Sequence, residues 1–528
     1  MIFHIFKKDL RLLWPYAAML AVMQFVYAAH LFLNPGRDER EYSGWAATQT
    51  QEILLAAIFL FGAFLIAAIV QQDPIPGVRQ DWLVRPIARM HLLLSKILSV
   101  VLLVHVPMLA ADLLYGLAIG YSTGHSLGFA VSRGIYVLMV VSIPFVAFFS
   151  LTKNMMEAVA SGFVIAVGLI GFAFTTSAIT GKYGRFLDVT QDTGFHWVPQ
   201  FAGGIVILLG ALTVLGIQYF RRKTLTARFV TGAVFILFWA VTFLMPWETA
   251  FAIGQEFSSK KGEGNAIALS FEPAGARFHR TPHTPSDEDL SLYLPVRVDG
   301  LPADSVLRAD RYSTRAIFAS GESVVMSVDL TEDFRRNGAG YLKVGGHPLY
   351  GSPLLVGDER VKNEPLQLEI EMWMTLLKVS SVTELPALDG PLSIGGVGCI
   401  HREWTMSRSW DDDEDTEVNL WCEPVLQPSC YTLELLEFSA PYVFRPAMKC
   451  PGDYKPIHAQ LLPGGASITA VAYVRDPLGH VKYPKDFDNL FKTKAALKSY
   501  EPVDHFTKKI VIPEVRLKDW TADTTNPK

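Results

Sequence analysis

The sequence predicts an α-helical polytopic membrane bundle, with six transmembrane helices plus a seventh linking helix, followed by a mainly β, sandwich-like soluble domain. Three observations predict it. Apolar runs long enough to cross a bilayer recur through the first half of the chain and stop near Met245. Charge divides at the same place: residues up to Met245 hold 17 Lys+Arg and 11 Asp+Glu, whereas those from Pro246 hold 30 and 40. Period-two alternation of apolar and polar residues begins only after about Gln255. The chain of 528 residues is 50% hydrophobic with a net charge of −4, so nothing in it favours a nucleic-acid partner.

A spanning helix needs about twenty mostly apolar residues, helical throughout because lipid pairs with no backbone group. The candidates are Leu12–Leu33, Ile53–Val70, Ile97–Ile119, Gly134–Leu151, Ala158–Thr176, Phe201–Phe220 and Phe229–Met245. Trp14, Trp197 and Trp247 stand at span ends, where an aromatic belt is expected. Pro107 and Pro144 predict kinks. Gly162, Gly168 and Gly171 would allow close packing of the fifth span.

Orientation follows from basic residues in short loops. The segments before the first span and after the second, fourth and sixth hold 12 Lys+Arg, and the three alternate loops hold five, Arg133 among them. The N-terminus is therefore expected in the cytoplasm, and seven crossings leave everything after Met245 outside. The first apolar stretch is read as a span and not as a cleaved signal, because no small-x-small pattern precedes Asn34-Pro35. The start, Ile2 to Leu13, is amphipathic at helical spacing, suiting either a helix on the cytoplasmic surface or a basic flank.

Cys399, Cys422, Cys430 and Cys450 cluster in the soluble half with no C-x-x-C, which predicts disulfides and an oxidising compartment. Neighbours in sequence would join as Cys399–Cys422 and Cys430–Cys450, but four cysteines allow three pairings and the sequence does not choose.

Within the spans, Asp112 stands mid-helix with His105 about two turns earlier on nearly the same face. Charge in lipid is costly, so Asp112 is expected either to bond across helices or cap a break near Pro107, or else to line a substrate or proton path.

The membrane half carries short motifs of a known family. Lys7-Lys8-Asp9-Leu10-Arg11 precedes the first span; Asp81-Trp82-Leu83-Val84-Arg85-Pro86-Ile87-Ala88-Arg89 ends the second cytoplasmic segment and is followed by Leu92-Leu93-Leu94-Ser95-Lys96 entering the third span; Gln218-Tyr219-Phe220-Arg221-Arg222-Lys223 closes the sixth span. Over residues 1–225 these resemble the permease subunits of ABC-2 type transporters. The resemblance implies a six-helix permease half that pairs with a second copy or a homologous permease. It also implies a cytoplasmic ATPase subunit docking on an interface helix, Phe3–Leu13 (Phe6, Lys7, Lys8, Asp9, Arg11), and on a coupling loop, Asp73–Arg89 (Asp81, Trp82, Arg85, Pro86, Arg89). A seventh span and a large soluble domain depart from the family pattern. No G-x-x-x-x-G-K-[ST] occurs, so ATP would be bound by the partner and this chain would hold no cofactor.

The expected organisation is thus a permease-like domain over 1–225, a seventh helix linking to the exterior over 226–250, and an extracytoplasmic β-rich domain over 251–528 that divides near 361–365. Expected strands include Ala266–Phe271, Leu290–Val298, Ser323–Leu330, Gln367–Met374, Tyr431–Phe438, Ser467–Val474 and Lys509–Val515, and the best helical stretch is Phe487–Tyr500. The acidic run Asp411–Asp415 reads as a solvated hairpin tip, not an EF-hand. Neither H-E-x-x-H nor G-x-S-x-G occurs in the soluble half, so no enzyme is expected there. The expected function is transport from a bacterial inner membrane, driven by a separate ATPase. The alternatives are a non-transporting receptor or assembly protein acting through its outer domain and, last, an external enzyme on a membrane anchor.

Overall fold

A computed structural model describes residues 2–33, 42–73, 89–164, 167–168, 195, 197–273, 277–284, 287–334, 339–345, 365–385, 392–394, 399–408, 414–422, 430–435, 443–446, 466–475, 495–516 and 521–522. Six of its helices are long and apolar enough to cross a membrane. The first two are α1 (Ile2–Leu33) and α2 (Tyr42–Gln71). In α1 the buried positions Ile5, Asp9, Leu13, Ala17, Leu20, Gln24, Tyr27 and Leu31 recur every three or four residues, one face of a 3.6-residue helix. The amphipathic start is therefore the first turns of α1 and not a separate surface helix, and Pro15 does not break it.

The third and fourth crossings are each interrupted in the same way. The third runs through α3 (Arg89–Val100), a π-turn at Val101–His105, and α4 (Val106–Ala118). The fourth runs through α5 (Thr123–Val137), a π-turn at Leu138–Ser142, and α6 (Ile143–Phe149). Each π-turn immediately precedes an x-Pro pair, Val106-Pro107 or Ile143-Pro144. Proline has no N–H to donate and its ring crowds the preceding turn. One extra residue in that turn absorbs the conflict, and the amides of Val106 and Ile143 reach back to the carbonyls of Val101 and Leu138. Each expected disturbance is thus a π-turn, and the helix resumes after it.

The fourth crossing also starts earlier than expected. Ser122 caps α5 by accepting from the His125 amide at 3.4 Å. Arg133, counted above with a loop, is consequently a buried residue inside a helix.

A shorter apolar helix, α7 (Met155–Val164), opens the expected fifth span. Most of the remainder of that span, Gly171 included, lies outside the described residues. Among the described residues, a Cβ at Gly162 or Gly168 would meet nothing within 4 Å, so these two mediate no close packing there. That role falls to α8 (Trp197–Gly216) against α9 (Thr224–Phe243). A Cβ on Gly203 would come 2.4 Å from Thr242 Oγ1, and one on Gly210 would come 2.4 Å from Val234 Cγ1. Two bare backbone positions on one face let the helices approach closely.

Beyond α9, the short helix α10 (Trp247–Glu256) leads into the β-rich part. The strands are β1 (Ala268–Phe271), β2 (Arg277–Thr284), β3 (Asp287–Asp299), β4 (Ser305–Phe318), β5 (Ser323–Phe334), β6 (Ala339–Gly345), β7 (Leu366–Leu385), β8 (Leu392–Ile394), β9 (Cys399–Arg408), β10 (Glu414–Cys422), β11 (Cys430–Leu435), β12 (Val443–Pro446), β13 (Ala466–Arg475), β14 (Ala495–Val515) and β15 (Thr521–Ala522). They form three five-stranded sheets: β1-β3-β2-β15 with β6 also on β3, β12-β13-β10-β9-β8, and β11-β14-β7-β4-β5. The first and third share one core, in which Leu294 and Val296 of β3 meet Leu307 of β4, Met372 and Met374 of β7, and Phe506 and Ile510 of β14. Residues 495–500, expected in a helix, are strand paired on both edges, to β11 and to β7. The expected division near 361–365 falls on residues mostly outside those described.

Candidate functional site

Two polar assemblies sit at opposite ends of the helical bundle. The first is built where α1 begins, α2 ends and α3 begins. Asp9 falls on the buried stripe of α1, and Lys8 beside it points to the rim. Lys96 lies on the buried face of α3, flanked by Leu92, Leu93 and Val100. Its ammonium donates to Asp9 Oδ2 at 2.8 Å and to Asp73 Oδ2 at 2.8 Å, while Lys8 Nζ donates to Asp73 Oδ1 at 2.9 Å. Lys96 and Asp9 are wholly shielded from solvent. Two cations and two carboxylates thus balance within one network that is buried at Lys96 and Asp9 and open to solvent at Lys8. Such pairs hold only when geometry and hydrogen bonding offset the loss of water, so they bind their helices in one arrangement.

The same end is tied together by side chains that cap a helix terminus. The last carbonyls of α6 lack helical partners. Gln71 of α2 donates to the carbonyls of Phe149 and Thr152, both at 3.2 Å. Gln218, in the π-turn Ile217–Arg221 that ends α8, donates to the Ser150 carbonyl at 3.0 Å. Arg228 of α9 donates to the Leu151 carbonyl at 2.9 Å.

Deeper in the bundle, the third and fourth crossings are zipped by polar pairs. Arg133 donates to both carboxylate oxygens of Asp112. His105 Nε2 and Ser142 Oγ, the last residues of the two π-turns, are hydrogen-bonded at 2.9 Å. Asp112 therefore makes an ion pair between helices and does not cap a break at Pro107.

At the other end of α8, α10 docks on the β-rich part. Trp247, expected in an aromatic belt, is instead buried: its ring stacks on Phe251 and meets Phe195 and Trp373 edge-on. The Arg311 guanidinium lies 5.3 Å from the Trp247 ring centroid. The segment after α10 is strapped along β14. Gln255 donates to the His505 carbonyl at 2.9 Å, and the amides of Gly262 and Gly264 donate to Asp504 Oδ2 at 3.0 and 2.9 Å. Gly264 has to be glycine here, because a Cβ would come 2.0 Å from the Phe506 ring. His505 itself is buried among Phe195, Phe251 and Thr375. The Asp310 carboxylate accepts the Thr375 hydroxyl proton, so the hydroxyl oxygen is left to accept from His505 Nδ1–H at 2.7 Å. Burial pushes the His505 imidazole down to about 4.

Of the residues expected to dock an ATPase, Phe6 is buried, Lys7 and Arg11 are exposed, and Lys8 and Asp9 belong to the ion network. Arg89 is the first residue of α3, whereas Asp81, Trp82, Arg85 and Pro86 lie outside the described residues. Cys399 and Cys422 face each other in register across β9 and β10, Cys430 is buried at the start of β11, and Cys450 lies outside the described residues. Most of the acidic run falls in the undescribed link between β9 and β10. The sequence places Asp73 at the start of the coupling loop and Lys96 in the motif entering the third span, but gives neither its partner. It gives Arg133 only a charge for orientation and Ser142 no role, although Arg133 sits at an apolar helical position, and that misfit was the available signal. Among the described residues no group of three or more His, Cys, Asp or Glu could hold a metal ion.

No protein-family model matches the chain, and no curated protein matches it.

Proposed function

We propose that the chain is the membrane-spanning permease subunit of an ATP-driven ABC-2 type exporter in a bacterial inner membrane. It is powered by a separate cytoplasmic ATPase subunit and pairs with a second permease copy or a homologous permease. Its N-terminus is cytoplasmic, seven crossings carry the chain outward, and a sandwich-like β domain receives or directs substrate in the periplasm. The observation that carries this reading is the buried network of Lys8, Asp9, Asp73 and Lys96. It joins the basic start of α1 and the two ends of the tryptophan-proline segment, Asp73 and α3, into one unit. A push on that segment would be felt by three helices together, as an energy-coupling site requires. The wider charge pattern supports the same orientation: basic residues crowd this end of the bundle, and the acidic β-rich half lies at the other. An oxidising outer compartment is supported by the disulfide-bonded Cys430 and by the facing Cys399 and Cys422.

Extraction of the full chain in mild detergent from its native membrane tests the reading. A nucleotide-binding subunit should accompany the wild type and be lost with Trp82→Glu or Arg85→Glu. If no such subunit accompanies it and neither substitution alters the cell, the reading fails.

A further inference from the structure

A cavity of about 660 Å³ lies between the end of α6, α7 with Gly168 beyond it, and the first half of α9. This is the size of a small-molecule site. We propose that it binds one anionic phospholipid, drawn from the leaflet at the ion-network end of the bundle.

Its walls set the tail. Phe148, Val164 and Phe235 make the lining mostly apolar. Phe163 and Val164 on α7 and Phe229 on α9 are about 70% exposed, at 69%, 69% and 72%. An occupant therefore arrives sideways from lipid and not from water. Among the described residues, no neighbouring atom lies within 4 Å of where a Cβ on Gly168 or Gly232 would stand, so both open space to a chain.

Its rim sets the head. Both oxygens of Glu157 are already engaged: Oε1 accepts from Arg228 Nη2 and Oε2 from the Lys153 amide, both at 2.6 Å. Arg228 is not saturated. Its Nη2 serves Glu157 and the Leu151 carbonyl, and its Nε and Nη1 make no hydrogen bond among the described residues. A half-exposed guanidinium with spare donors, beside the cationic Lys153, suits a phosphate. Other basic residues at this end, Arg221 and Lys223, add to the attraction for an acidic leaflet. The lipid would fill the gap between α7 and α9, the latter being the least buried of the six spans at 6%. This site is independent of any ATPase partner and needs only a bundle that lies in a membrane.

The test uses the full-length chain, delipidated in detergent and titrated with phosphatidylglycerol or phosphatidylcholine of identical tails, with bound lipids counted by native mass spectrometry. One phosphatidylglycerol should be held about tenfold tighter than phosphatidylcholine. Gly232→Leu, and separately Gly168→Leu, should remove that lipid by filling the cavity. Arg228→Gln should erase the headgroup preference. Equal retention of the two lipids by the wild type, or undiminished retention by both leucine variants, overturns the site.

Discussion

Lys96→Met takes away an ammonium that bonds both Asp9 and Asp73, leaving two buried carboxylates to share Lys8. Breaking a buried pair from one side costs about 3–5 kcal/mol. Adding Asp9→Asn restores the charge balance around Lys8 and Asp73, so the double variant should melt above the single one. Thermal unfolding of the detergent-solubilised chain measures this, and a double variant no more stable than Lys96→Met would remove the network from the account. His505 makes a second prediction at this scale. Its folded pKa of about 4 lies below the ordinary 6.5, so the unfolded chain binds the proton more readily. Stability is intact above pH 6.5 and declines as pH falls from 6.5 to about 4, by roughly 3 kcal/mol if nothing relaxes. Trp247 and Trp373 lie beside this site, so their fluorescence can follow the change, and His505→Gln should flatten the decline in that window.

At the scale of elements, α8 and α9 depend on what is missing from Gly203 and Gly210. Gly210→Ala drives a methyl into Val234 and should cost about 1–3 kcal/mol. Gly216→Ala meets open space and should be neutral or slightly stabilising, since alanine favours a helix. Comparable melting temperatures for the two variants would mean the helices are not held at these glycines. The π-turns carry the same lesson from the other side: Pro107 and Pro144 were legible as disturbances, but the residue added to the turn before each was not. In β14, the helical spacing of residues 487–500 was outweighed for 495–500 by hydrogen bonding to strands on both sides, which no local pattern contains.

For the molecule as a whole, the ion network and the β-rich part lie at opposite ends of α8. Its twenty residues rise about 30 Å, the thickness of a bilayer core. If the proposed orientation is right, an impermeant thiol reagent applied to intact cells labels Glu501→Cys, while Lys7→Cys is labelled only after permeabilisation. The reverse pattern would invert the molecule and separate the basic end from any cytoplasmic ATPase.

Composition and period by themselves determined that helices able to cross a membrane come first and strands follow, because apolar length and alternation along a strand are properties that neighbouring residues share. Lys8 and Asp9 were named from a motif as docking residues, which did not foretell the ion network they join. Only the tertiary structure decided that Asp9 meets Lys96 across 87 positions, that Arg133 leaves its loop to neutralise Asp112, and that Trp247 turns from the lipid interface to a buried aromatic block. A charge carries no mark of the partner that will neutralise it. That partner is chosen by how helices pack, through contacts between residues far apart in the chain.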